Sequence, residues 1–281
     1  YDFYLADTDA GKIIHYGLRY QVYCLREKFE DPSGYPNYME QDEYDEASAH
    51  FIVRSRVTRE WLGAMRLIIA PPHKLPVNRF SSLRPANYSR RAVAAEASRL
   101  CTLLPRTPRS TFTGKPMQAD KSQPAAYPLA SNALQTSFIS IGLIGAARQY
   151  CINHGILYCF FLISDPLARM LRRLGMEIEP VGSPCLHRGW RRPYLHNVKT
   201  GYEAMRTRSP ELYKEFCRPT AYVRFSEYEN AEEGLPLAAC GGDHRPIGLA
   251  SSLTEGNRKP LDPNSRERNE WSAPSPAAVR L

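Results

Sequence analysis

The seven cysteines, Cys24, Cys101, Cys151, Cys159, Cys185, Cys217 and Cys240, form no CxxC pair, and an odd, scattered set argues against a disulfide scaffold or a zinc ribbon. They read as reduced thiols that pack as small hydrophobes. None of the seven histidines stands in an HxxxH or HxH spacing, so no metal centre is expected. The longest apolar run, "GILYCFFLI" over 155–163, is too short to cross a bilayer, and no transmembrane segment is expected. No basic-then-apolar signal opens the chain, and the cytoplasm is the expected compartment. The chain starts at Tyr1 rather than Met, so residues ahead of it are not excluded. Ser98 lacks the Gly-x-Ser-x-Gly elbow that would make it a covalent nucleophile.

What is present is a chain of 281 residues, 43% hydrophobic, with 23 prolines and a net charge of +8. That suffices for one substantial core or two small ones, with long loops or a tail. The charge is uneven. From Ser226 onward nine acids outnumber six bases, which leaves +11 on the remainder. Such a surface favours an acidic partner: nucleic acid, a membrane or an acidic carrier protein.

Residues 226–281 are rich in Gly, Pro, Ser and charge without apolar periodicity, and read as a disordered tail. Residues 1–225 alternate strand and helix patterns. "YDFYLAD" is a first strand. Ile14, Leu18, Val22 and Leu25 recur at helical steps from Ala10 to about Lys28. "AHFIVRSRVTREWLGAMRLIIAPP" (49–72) is a hairpin, and "RRAVAAEASRLCTL" (90–103) is the next strand. A long basic loop between Pro105 and Leu129 has the composition of a lid, a docking surface or plain disorder. A helix over 131–155 closes at Gly155, and "ILYCFFLI" (156–163) is a buried strand. Asp165 as N-cap and Pro166 open a short helix that stops at Gly175, before strands in "MEIEPVG" and "CLHRGWRRPYLHNV". The order β-α-β-β-β-α-β-α-β predicts an α/β layered domain around a mixed sheet.

The polar residues at the ends of these elements carry a more specific pattern. "LRYQVY" has Arg19 four positions before Tyr23, and Phe29 comes ten after Arg19. "QDEYD" holds Asp42 and Asp45, "GAMRLI" holds Arg66, and "EASR" holds Glu96, Ser98 and Arg99. In this order and spacing they resemble the acyl-homoserine-lactone autoinducer synthases, whose pattern is Arg, an aromatic four later, Trp ten later, Asp-x-x-Asp, a strand Arg and Glu-x-Ser-Arg. The fuller text, with "LPVNRF" and "AAEASRL", is most similar to the acyltransferases associated with PEP-CTERM/exosortase systems, which also resemble N-acyl amino acid synthases. The resemblance covers roughly residues 1 to 200. It implies a GNAT-like fold, a three-layer α-β-α sandwich whose mixed sheet splays to admit an acyl thioester.

Two departures matter. Phe29 stands where the autoinducer synthases carry Trp, and Tyr23 where they usually carry Phe, so the amine pocket is shaped for something other than S-adenosylmethionine. The GNAT pyrophosphate loop for coenzyme A is not evident. The glycines of "SIGLIGA" (140–146) fit helix packing better. An acyl carrier protein is therefore the expected donor, with acyl-CoA as the other option, and no tightly bound cofactor.

The expected activity is transfer of a fatty acyl group from a carrier thioester to the amine of an amino acid or related small molecule. Acylation of S-adenosylmethionine is one alternative; a basic nucleic-acid-binding module is another, of a different class. Acyl transfer needs a neutral amine, so a base must take its proton. Glu96 is the candidate base. In a regular strand Glu96 and Ser98 face one side and Arg99 the other, unless a bulge re-aims one of them. Arg99 is expected to pair with Asp42 or Asp45. Arg19 and Arg66 would complete that network or hold a substrate carboxylate. Tyr23, Phe29 and Ser98 complete the expected substrate-binding set. A plain ion-pair cluster stapling loop to sheet is the other reading of these charges.

Overall fold

The computed structural model describes residues 1–84, 93–103, 129–217 and 221–233. In chain order it contains β1 (Asp2–Leu5), α1 (Asp9–Arg19), β2 (Ser48–Arg54), β3 (Trp61–Ala70), α2 (Val77–Phe80), β4 (Ala94–Thr102), α3 (Leu129–Asn153), β5 (Tyr158–Ile163) and α4 (Asp165–Leu174). After these come β6 (Glu179–Pro180), β7 (Cys185–Leu186), β8 (Trp190–Asn197), α5 (Met205–Arg208), α6 (Pro210–Phe216), β9 (Val223–Arg224) and α7 (Phe225–Glu233). The order expected from the sequence holds with two departures: the short α2 enters between β3 and β4, and the last expected strand forms as the β7–β8 hairpin. Of the tail expected from Ser226, residues 226–233 continue as α7, and the rest lies outside the described residues, as does the expected loop from Pro105 up to the start of α3.

The sheet runs β6-β8-β5-β4-β3-β2-β1-β9, with β7 paired to β8. β1 to β4 are antiparallel neighbours, and β4 pairs parallel with β5. Period-two alternation sorts the strand residues between two helical layers. Phe51, Val53, Met65 and Leu67 face α3, α4 and α6, where Ile139, Leu143, Leu171 and Phe216 close the larger core. Ile52 and Ala64 face α1 and α7, against Leu18 and Phe225. Each such Val, Leu, Ile, Phe or Met side chain contributes about 1.5–3 kcal/mol when fully buried. This is the three-layer α-β-α sandwich, an open mixed sheet flanked by helices. No described helix is long and apolar enough to cross a membrane.

Local features at four places position the site. Thr8 caps α1 by accepting from the Gly11 N–H at 3.2 Å, but the helix does not continue evenly to Lys28. Residues Tyr20–Arg26 wind as a π-helix, and the Glu27 N–H reaches the Val22 carbonyl at 2.8 Å. The wider turn rotates the last residues of the segment, so Leu25, expected on the apolar stripe, is 53% exposed. The β4–β5 ladder ends at Ala97 and Phe161, beyond which the two strands part. Finally, a side chain at Gly142 or Gly145 would run into Phe3 or Phe216, so both serve close packing, as expected of glycines within this helix. At α4 the cap is Ser164 rather than Asp165, whose carboxylate instead accepts from the Tyr194 hydroxyl at 2.9 Å.

Candidate active site

β3 and β4 slip in register between Ala64/Cys101 and Arg66/Ser98, so Arg99 and Leu100 together oppose Met65. This is a β-bulge, and Arg99 sits in it at φ 54°, in the left-handed region. The bulge turns the Arg99 side chain onto the α1 face, where Arg66 and Ser98 already point. The condition set by the strand geometry is thereby met: the bulge re-aims Arg99.

On that face six charges alternate in a closed ring. Arg19 Nε donates to Glu40 Oε2 at 2.5 Å, and Arg99 Nη2 donates to Glu40 Oε1 at 2.8 Å. Arg99 Nη2 also reaches Asp42 Oδ2 at 2.9 Å, and Arg66 Nη1 pairs with Asp42 Oδ1. Arg66 Nη1 then reaches Asp45 Oδ1 at 2.9 Å, and Asp45 Oδ1 returns to Arg19 Nη1 at 2.5 Å. The Asp42 N–H donates to Asp45 Oδ2 at 2.7 Å and fixes the loop, while Arg66 Nε donates to Ser98 Oγ at 3.1 Å. Three guanidinium groups meet three carboxylates, so the buried cluster is neutral, as burial requires.

The ring sets the state of its members. Burial raises the Glu40 carboxyl, but Arg19 and Arg99 outweigh it and hold the group below the usual range. Burial likewise opposes ionisation of Asp45, yet Arg19 and Arg66 keep it at about 2. Burial works against the Arg19 charge too, and Glu40 with Asp45 still raises it. Behind the ring His15 and His50 stack edge to face at 4.6 Å, and His50 Nε2 bonds the Asp45 carbonyl at 3.1 Å. Burial lowers both, His50 to about 4, so they stay neutral.

Glu96 lies on the same face one pleat away, opposite Ile68, and is 4% exposed. Among the described residues its hydrogen bond comes from the Val77 N–H, at the first turn of α2, to Oε2 at 2.8 Å. Burial raises its carboxyl to about 7, and the Val77 N–H and Arg66 restrain the rise. Glu96 thus has what a base working near neutral pH needs.

Glu96, Ser98, Arg99, Arg66 and Asp42 line one cavity of about 810 Å³. Tyr23, Phe29 and Arg188 line its α1 side; Ile144, Phe161, Ile163, Leu167 and Leu171 line its α3 side, past the point where β4 and β5 part. The cavity therefore passes from a charged wall to an apolar one. Tyr23 is set by the π turn: its hydroxyl lies 3.4 Å from the Leu100 carbonyl and the Arg99 guanidinium lies 5.3 Å from its ring centre. Burial pushes the Tyr23 hydroxyl up to about 12, so it stays a neutral donor.

Arg19 and Asp45 stand behind the cavity wall and do not line it, so of the two roles expected of Arg19, network or substrate, it fills the first. Their guanidinium and carboxylate are spent on the ring. Arg99 pairs with Asp42, as expected, but its other partner is Glu40 rather than Asp45. Glu40, which closes the ring and is fully buried, was not singled out by the sequence. Its one available signal is a position two before Asp42 in a segment already dense in acids. Among the described residues no cluster of His, Cys, Asp or Glu suits a metal ion.

Residues 18–104 match the family model of the acetyltransferase (GNAT) domain. Among solved structures, TofI in a ternary complex with an inhibitor and MTA superposes with a TM-score of 0.50 at 17% identity, over 75% of this chain and 100% of that one. BjaI, a CoA-dependent acyl-homoserine lactone synthase solved with SAM and isopentyl-CoA, gives 0.49 at 16% identity, over 75% and 84% of the two chains. FeeM, an N-acyl amino acid synthase from uncultured soil microbes, gives 0.40 at 12% identity, over 75% and 96%. No curated protein matches the chain. The likeness to TofI concerns the fold alone. With the domain match, the chain carries a GNAT domain, and its class of activity is acyl transfer.

Proposed function

We propose that the chain moves a fatty acyl group from an acyl carrier protein thioester to the amine of an amino acid or a related small molecule. One observation carries the reading. Glu96, a carboxyl poised near pH 7, lines a cavity that joins a charged wall to an apolar channel. The chain of the acyl group lies along Ile144, Phe161 and Leu167, and its thioester carbonyl stands where β4 and β5 separate. Glu96 takes a proton from the ammonium group; the freed nitrogen attacks the carbonyl carbon. The tetrahedral intermediate collapses with cleavage of the C–S bond, and the proton that the nitrogen gives up as the amide forms goes to the leaving thiolate. The ring of charges acts as scaffold, holding the loop 40–45 and the bulge at Arg99 against β3.

A carrier-borne donor is supported by Gly142 and Gly145, which are occupied in packing rather than in cradling a pyrophosphate. An acceptor other than S-adenosylmethionine is supported by Tyr23 and Phe29 on the cavity wall, which depart from the autoinducer synthase pattern. The order of charged motifs keeps S-adenosylmethionine as the rival acceptor. The closer likeness to the PEP-CTERM/exosortase-associated acyltransferases belongs to this reading, as does a cytoplasmic setting, which agrees with the six unpaired described cysteines.

The test is incubation with long-chain acyl carrier protein or acyl-CoA, with an amino-acid mixture or S-adenosylmethionine, read by mass spectrometry. An N-acyl amino acid formed from the carrier is the expected product. An acyl-homoserine lactone would move the acceptor to S-adenosylmethionine, and no acylated amine from either donor would overturn the reading.

A further inference from the structure

The mouth of the cavity is built unlike the rest of the basic surface. Phe29 and Phe80 line the cavity and are still 40% and 39% exposed. Beside them stands the β7–β8 hairpin. Its His187 ring stacks on Phe80 with centres 3.9 Å apart, and its Arg188 pairs with Glu30, next to Phe29. These two contacts fix the hairpin against the mouth. Leu186 and Trp190 face each other across the hairpin and are 73% and 70% exposed.

The hairpin's own charges have one sign, with Glu30 and Asp165 standing beside it as the partners of Arg188 and Arg192. From Pro180 to Tyr202 the chain has no acidic residue, and it carries Arg188, Arg191, Arg192 and Lys199. Among the described residues Arg191, which also lines the cavity, meets only the carbonyls of His187 and Arg188. A protruding Trp–Leu pair flanked by arginines matches the chemistry of a bilayer interface, where the ring sits at headgroup level and the guanidinium groups meet phosphate.

We infer that the hairpin 185–192, with Phe29 and Phe80, seats the mouth of the cavity on an anionic lipid surface. The occupant is lipid rather than a carrier protein because the outermost groups of the hairpin are a Trp and a Leu, the side chains that fit the headgroup region of a bilayer. The seating places the cavity opening against the bilayer, so a long-chain amphiphile passes between protein and lipid without entering water.

The full chain is to be sedimented with phosphatidylcholine vesicles, with and without about one-third phosphatidylglycerol. Binding to the anionic vesicles, at least about tenfold tighter than to the neutral ones, with a blue shift of tryptophan emission, is expected. The double variant Leu186→Ser/Trp190→Ser changes two exposed side chains that do not line the cavity. It should lose about tenfold or more of that binding and the emission shift, while acyl transfer between water-soluble substrates is unchanged. No sedimentation of the wild type, or equal sedimentation of the double variant, overturns the inference. So does binding to an acyl carrier protein, lost in the double variant, without binding to vesicles. Vesicle binding without acyl transfer would leave this inference standing and strike the proposed function.

Discussion

Arg99 and Glu40, 59 residues apart in sequence, meet through three contacts of 2.8 to 3.2 Å, and the meeting depends on the left-handed turn of Arg99 in the β4 bulge. In a regular strand Arg99 would point to the α3 face, and Glu40 would lie buried with one partner fewer. The bulge and the ring therefore require each other. Replacing Glu40 with Met leaves Arg19 and Arg99 without a shared acid, and a broken buried pair costs about 3–5 kcal/mol. Urea unfolding of Glu40→Met should show that loss. The double variant Arg19→Met/Glu40→Met removes one charge of each sign and should recover a large part of it, since a neutral apolar pair tolerates burial.

The same ring predicts how stability responds to acid. Asp45 is held at about 2 in the folded protein, and Glu40 and Asp42 are held below their ordinary values. In the unfolded chain such carboxyls take up protons near pH 4. For groups lowered by folding, the stabilisation is fully present above the unfolded values and drains away as pH falls toward the folded ones. Unfolding free energy should thus decline steeply between about pH 4 and pH 2. Measured at stepped pH, the decline should be shallower in Arg19→Met/Glu40→Met, which has one depressed carboxyl fewer. An equal slope in both proteins would show that the ring does not control the acid limb.

Much of this was legible in the chain. Alternation in "AHFIVR" and "AAEASRL" and the stop at Gly175 gave strands and a helix end from local physics. Two things were not. The π turn over Tyr20–Arg26 keeps the helical composition and only changes the winding, so Leu25 was expected to be buried and is exposed. Glu40 was not singled out because its partners, Arg19 and Arg99, come from a helix and a strand that only the tertiary fold brings to it. Short-range pattern reports which residues share a face; it does not report which distant loop will cover that face.

The apolar end of the cavity gives a prediction about the acyl chain. Leu167 lines that end from the first turns of α4 and is only partly buried, so a larger ring there fills the channel with little strain elsewhere. Leu167→Trp should leave short acyl donors unaffected and lower kcat/KM for long ones by about tenfold, the effect of one to two displaced methylenes in a hydrophobic pocket. A competition assay between donors of different length reads the change. If the preference is unmoved, the chain lies elsewhere and the direction assigned to the channel is wrong.

Glu96→Gln bears on both activity and stability, and the two effects have opposite signs. Gln keeps the shape and an oxygen for the Val77 N–H but cannot take up a proton near neutral pH, so turnover should fall by about 10²–10⁴ while the fold stays intact. In the wild type the rate should rise with pH through the value near 7 as Glu96 loses its proton, and that limb should vanish in the variant. The stability effect runs the other way. Burial raises Glu96 from 4.5 to about 7 in the folded protein, so between those values the native state holds a proton that the unfolded chain has given up. Stability therefore falls as pH rises across that window, and ionised Glu96 costs the fold about 3 kcal/mol above it. Glu96→Gln removes that cost: the variant should match the wild type near pH 4 and exceed it at pH 8. Paired unfolding and rate measurements at those two pH values give the answer, and a variant with full turnover, or one no more stable than the wild type at pH 8, would take the base out of the mechanism.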